Sequence, residues 1–122
     1  MRANRRFTAS GWMLSLLVLA AVVPWATAGD LGQGKEVYAQ FCASCHGETG
    51  KGDGPAAPAL TPKPKDLSDK GYMGTKSDEQ LFKVVKEGGA AGGLSPLMPP
   101  WGTSLTDDQI RDVIAYLRSL AK

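Results

Sequence analysis

Five consecutive residues, Cys42-Ala43-Ser44-Cys45-His46, constrain this chain more than any other stretch. Two thiols lie about one helical turn apart, and an imidazole follows the second directly. C-x-x-C-H is the attachment sequence of a c-type haem. In it the thiols form thioethers to the porphyrin and the histidine is held under the iron as an axial ligand. The alternatives fit less well. Structural zinc takes four N or S ligands, and the whole chain offers two cysteines and one histidine. A thioredoxin-like redox pair belongs to a βαβ setting that the later sequence does not supply. A plain disulfide suits an exported protein but gives the adjacent histidine no role.

The chain has 122 residues, room for one domain once a targeting segment is set aside. Met1 to Arg6 is basic, Trp12 to Val23 is apolar, Pro24 follows, and Ala26-Thr27-Ala28 matches a small-x-small cleavage site. Residues 1–28 therefore read as a secretory signal peptide, with 29–122 as the functional domain. The alternative is an uncleaved anchor, although the apolar run is short for a span of about 20 residues. Arg5-Arg6 is compatible with twin-arginine export. No cysteine stands near the cleavage site, which argues against a lipid anchor there. Three of the 14 basic residues and none of the 12 acidic ones lie in the leader, so the remainder is slightly acidic. Net charge thus gives no support to a nucleic-acid partner. A domain of this size builds a modest core, and a porphyrin would supply much of the missing apolar mass.

The rest of the chain reads as helices joined by glycine- and proline-rich segments. Gly32 to Cys42 places Gly34, Tyr38 and Phe41 on one helical face. Glycine costs helix stability, so Gly34 predicts close passage of another backbone. Gly47 to Asp69 is broken by Gly47, Gly50, Gly52 and Gly54 and then by Pro55, Pro58, Pro62 and Pro64, which predicts a long irregular loop around a cofactor. Leu60 and Leu67 are its expected apolar contacts. Ser77-Asp78-Glu79-Gln80 and Thr106-Asp107-Asp108-Gln109 are two capping boxes. The first opens a helix with Leu81, Val84 and Val85 as its buried stripe, ended by Gly88-Gly89. The second opens one with Ile110, Val113, Ile114 and Leu117 inward. Gly88 to Gly93 has little side chain to order it and predicts a flexible or tightly turned surface segment.

A buried haem iron held by one histidine has a second axial position. His46 is the only histidine, so a bis-histidine site within the chain is excluded. Beyond the leader the methionines are Met73 and Met98. Met98 stands in Leu94-Ser95-Pro96-Leu97-Met98-Pro99-Pro100-Trp101, where the prolines fix φ and can hold an extended loop.

The order C-x-x-C-H-G, then G-x-G-D-G-P, then P-x-P-x-D-L, with an MPPW-type ending before the last helix, resembles the bacterial monohaem class I cytochromes c. The resemblance covers the whole of residues 29–122. It implies an all-α fold, three to four helices around one haem c tethered by Cys42 and Cys45, with His46 and Met98 on the iron. Met73 is the fallback ligand. It also implies that Gly34 and Tyr38, eight and four residues before Cys42, meet the last helix near Tyr116. Trp101 either donates its indole N–H to a haem propionate or simply packs.

A His/Met pair raises the reduction potential and leaves no open iron position, which argues for electron transfer and against an enzyme. The expected function is one-electron transfer in the periplasm between a redox-protein donor and acceptor met transiently. Membrane contact follows only if the leader is retained. Seven lysines against five acids between Lys51 and Lys86 offer a weak orienting charge. The alternatives are a fixed electron-transfer subunit of a dehydrogenase or oxidase complex, or an open-site haem enzyme or gas sensor.

Overall fold

The structure, a computed structural model, describes residues 29–122, and the expected signal peptide lies outside them. Five α-helices and no strand occur among the described residues, so the fold is all-α as expected. Helix α1 spans Leu31–Phe41, and its N-cap Asp30 accepts from the amides of Gly32 and Gln33. The backbone leaves the helix at Cys42, and α2, Ala43–His46, starts again from there. The attachment motif therefore straddles a break rather than extending α1. Helices α4, Asp78–Glu87, and α5, Asp107–Leu120, each begin with the expected capping box, both reciprocal bonds being present. Helix α3, Lys70–Gly74, carries no periodic signal because it is barely one turn long. Its readable signal is the N-cap Asp69, whose carboxylate accepts from the Tyr72 amide.

Helix α1 packs along α5, and α5 in turn packs on α4. The first crossing is close because Gly34 is buried where the helices meet. A Cβ at Gly34 would overlap the Asp112 carbonyl oxygen and stand 3.0 Å from the Cβ of Tyr116. One turn on, Tyr38 packs on Tyr116 with ring centroids 5.3 Å apart at 57°. Ile110, Val113, Ile114 and Leu117 are all buried, as their spacing predicts. Burial of each contributes about 1.5–3 kcal/mol relative to exposure. Leu81 and Val85 are buried too, whereas Val84 is half-buried and lines the central cavity instead of the core.

Arg118 fastens α5 to the α3–α4 connection. Its guanidinium donates to the carbonyl oxygens of Met73 (2.7 Å) and Lys76 (2.5 Å) and to the Asp78 carboxylate (2.9 Å).

The segment from Gly47 to Asp69 is irregular but internally bonded. The carbonyls of Ser44, Cys45 and His46, unpaired within so short a helix, accept from the amides of Ala56, Gly54 and Gly52 at 2.9, 3.1 and 2.8 Å. The segment is thus folded back onto the attachment motif. Gly88 to Gly93 takes the tightly turned of its two expected forms. It makes a 3-10 turn over Gly89–Gly92, with Gly88 and Gly89 buried.

Candidate cofactor site

One cavity of about 530 Å³ opens between these elements. Cys42, Cys45, His46 and Met98 all line it, from two separate parts of the fold. The first three come from α2 and the residue before it, while Met98 comes from the proline-rich loop ahead of α5. Leu60 and Leu67 line the cavity as expected, with Leu81, Val84, Val85, Val113 and Leu117 completing an apolar wall. Four lysines, Lys63, Lys65, Lys76 and Lys83, also contribute, and no aspartate or glutamate does.

The two thiols are free, Cys42 buried and Cys45 half-buried. Burial, with the neighbouring Cys45 adding to it, pushes the Cys42 thiol up to about 12, so before any bond to a cofactor it is protonated. His46 has a defined tautomer. Its Nδ1 lies 3.1 Å from the Lys65 carbonyl oxygen, which can only accept, so Nδ1 carries the proton and Nε2 keeps its lone pair for a metal. Burial also lowers the imidazole below its ordinary pKa, partly opposed by that same bond, which favours the neutral, ligating form.

The two other candidate residues lie elsewhere. Met73 is 1 % exposed within the hydrophobic core and is not part of the cavity wall. Trp101 is likewise absent from the wall and packs edge-on against Phe41, with ring centroids 5.4 Å apart. Tyr72, by contrast, lines the cavity although sequence reasoning passed it over. Lys65 and Lys76 place their ammonium groups 5.7 and 5.4 Å from its ring centroid. Its position depends on α3, which the hydrophobic pattern does not reveal.

A paired-thiol edge, a neutral imidazole with a free lone pair, a thioether and an apolar wall form a donor set for a flat, apolar, iron-bearing ring. Residues 29–117 match the family model described as "Cytochrome C oxidase, cbb3-type, subunit III". The chain belongs to the cytochrome c family.

Cytochromes c carry haem c covalently, and the cavity residues here fit that group. The chain is 31% identical over 104 residues to cytochrome c6 of Thermosynechococcus vestitus, covering 85% of this chain and 82% of that one. It is 34% identical over 101 residues to the cbb3-type cytochrome c oxidase subunit CcoP of Azospirillum sp. (strain B510), covering 78% of this chain but 30% of the relative. Among solved structures, cytochrome cL from Hyphomicrobium denitrificans superposes with a TM-score of 0.57 at 30% identity, covering 78% of this chain and 49% of that one. Electron transfer is the function this family membership supports.

Proposed function

We propose that this cytochrome c is an exported one-electron carrier of the periplasm, with haem c tethered by Cys42 and Cys45 and its iron held between His46 and Met98. Haem, when bound, supplies a one-electron Fe(III)/Fe(II) couple. The chain supplies the rest. Lys65 orients His46 through the Nδ1 bond and keeps Nε2 available. The apolar wall excludes water and favours the less charged ferrous state, and a thioether from Met98 acts in the same direction. His46 and Met98 together would hold the iron and leave it no position for oxygen or peroxide. That supports a carrier rather than an enzyme. The observation that carries the reading is that Met98 and His46 line one cavity while Met73 is enclosed in the core.

Four lysines and no acid around the cavity support transient docking on an acidic face of the donor or acceptor. Such an encounter weakens as salt rises. The signal-peptide pattern of residues 1–28 supports the periplasmic location. No helix among the described residues is long and apolar enough to cross a membrane.

The test is the optical spectrum of the purified haem-bearing protein. A weak far-red sulfur-to-iron band in the ferric form, abolished in Met98→Ala and retained in Met73→Leu, is the expected result. Loss of the band in Met73→Leu alone would transfer the ligand role to Met73. Absence of the band from the unmodified protein, with carbon monoxide binding on reduction, would favour the open-site reading.

A second reading is a fixed electron-transfer subunit of a larger complex, favoured by the match to one part of an oxidase subunit. Co-purification with a partner that persists at high salt would select it over a free carrier.

A further inference from the structure

We propose that Gly89 is a positioning residue for Met98, holding the ligand loop flat against the end of α4 because it has no side chain. The inference rests on the reading of Met98 as an axial ligand.

A helix leaves its last carbonyls without intrahelical partners. In α4 the Val84 carbonyl accepts from the Gly88 amide at 2.9 Å. The next two carbonyls, of Val85 and Lys86, accept from the amides of Trp101 and Gly102 at 2.9 and 3.0 Å. Those amides belong to the segment just past Met98. The Gly89 amide donates back to the Met98 carbonyl oxygen at 2.9 Å, and the Gly89 carbonyl accepts from Leu94 at 2.8 Å. The Met98 amide in turn donates to Ser95 at 3.2 Å. The backbone of Met98 is thus fixed on both sides, and the end of α4 is the template.

This clamp closes only where the template is bare. A Cβ at Gly89 would overlap the Ser95 carbonyl oxygen and stand 3.0 Å from the Cβ of Met98. Gly89 is not among the positive-φ glycines, so alanine is allowed there by the backbone and excluded by space alone. Gly88, at φ 92°, would be strained by any side chain and cannot separate the two effects. The Ser95–Met98 loop is the side that yields. α4 is anchored on the core by buried Leu81 and Val85, whereas Ser95 and Met98 are only half-buried and Pro96 and Leu97 are exposed. Displacement of that loop carries the Met98 thioether with it.

The experiment compares haem-bearing Gly89→Ala with Ile110→Ala, a core variant on α5 that does not line the cavity. Both lower the melting temperature. Well below melting, Gly89→Ala is expected to lose the ferric far-red band and to bind carbon monoxide when reduced, while Ile110→Ala keeps the band. A band of unmodified strength in Gly89→Ala overturns the inference. Absence of the band from the unmodified protein overturns instead the Met98 reading on which it rests. A second measurement needs no variant. Displacing Met98 from the ferric protein with imidazole is expected to speed hydrogen exchange at the Gly89 amide while the Gly88 amide, bonded within α4, stays protected. Unchanged protection of Gly89 also overturns the inference.

Discussion

Tyr38 donates a buried 2.6 Å hydrogen bond from its hydroxyl to the carbonyl oxygen of Gly47, the residue directly after His46. The bond joins α1, which carries the crossing with α5, to the end of the turn that presents the thiols and the imidazole. Tyr38 is 2 % exposed, and burial, reinforced by Cys42 nearby, holds its phenol protonated well beyond the ordinary range.

Tyr38→Phe is expected to cost about 1 kcal/mol at neutral pH by removing a buried hydrogen bond, the Gly47 carbonyl keeping only the Gly50 amide at 3.2 Å. The alkaline limb carries the sharper signature. The folded pKa is raised, so the stabilisation is fully present below the unfolded value of about 10 and is lost as pH rises from there toward the folded value. Denaturant midpoints followed by far-UV circular dichroism should fall above pH ~10, and less in Tyr38→Phe. Equal slopes in the two proteins would remove Tyr38 from the effect.

Gly34→Ala is expected to destabilise, although alanine is the better helix former by about 1 kcal/mol. The added Cβ meets the Asp112 carbonyl in a crossing that has no slack, and overpacking of this kind costs about 1–3 kcal/mol or more. Gly74→Ala is the control, since a Cβ there has nothing within 4 Å. Thermal unfolding should place Gly34→Ala clearly below Gly74→Ala. Equal melting temperatures would mean that the helices do not cross so closely.

Arg118→Met keeps most of the apolar stem but removes two bonds to backbone carbonyls and one to Asp78. A loss of about 1–3 kcal/mol is expected, since the Lys76 carbonyl loses the guanidinium as donor while that of Met73 keeps the Lys76 amide at 3.2 Å. Asp78→Asn tests the ion pair alone. The Asp78 side chain is 67 % exposed, so that variant should cost less than about 1 kcal/mol. Chemical unfolding of both proteins gives the comparison, and equal losses would move the weight of Arg118 onto the ion pair.

Replacing both thiols, Cys42→Ser with Cys45→Ser, removes the covalent hold on the haem. The apolar wall of the cavity of about 530 Å³ would then face water instead of the ring. A domain of this size has a modest core and a stability of only about 5–15 kcal/mol. The haem-free variant is therefore expected to lack cooperative unfolding and most of its helix signal by far-UV circular dichroism. A haem-free chain that melts sharply would show that the walls can close over the void.

The features legible from residue order alone were local or compositional. The C-x-x-C-H spacing names the cofactor from five residues, because covalent attachment depends on consecutive side chains and not on distant ones. Both capping boxes fixed their helix starts, since a cap is a bond between residues three apart. The buried stripe of α5 followed from its period, and Gly34 foretold the crossing because a glycine inside a helix needs a reason.

Tertiary structure alone decided matters that depend on which distant backbones meet. The five residues of α3 have too few turns to show a period, yet they bring Tyr72 and Lys76 to the cavity. Val84 fits the core stripe by spacing but is half-buried on the cavity wall, whereas Leu81 and Val85 of the same helix touch both core and cavity. Met73 and Met98 are chemically alike in the sequence. Their sequence contexts differ, Met98 standing among prolines, and packing encloses Met73 in the core while Met98 lines the cavity wall. The bonds from Trp101 and Gly102 to the end of α4 join residues sixteen apart, and no local pattern encodes them. Spacing rules reach about one helical turn, whereas the cavity is assembled from segments that the chain brings together only on folding.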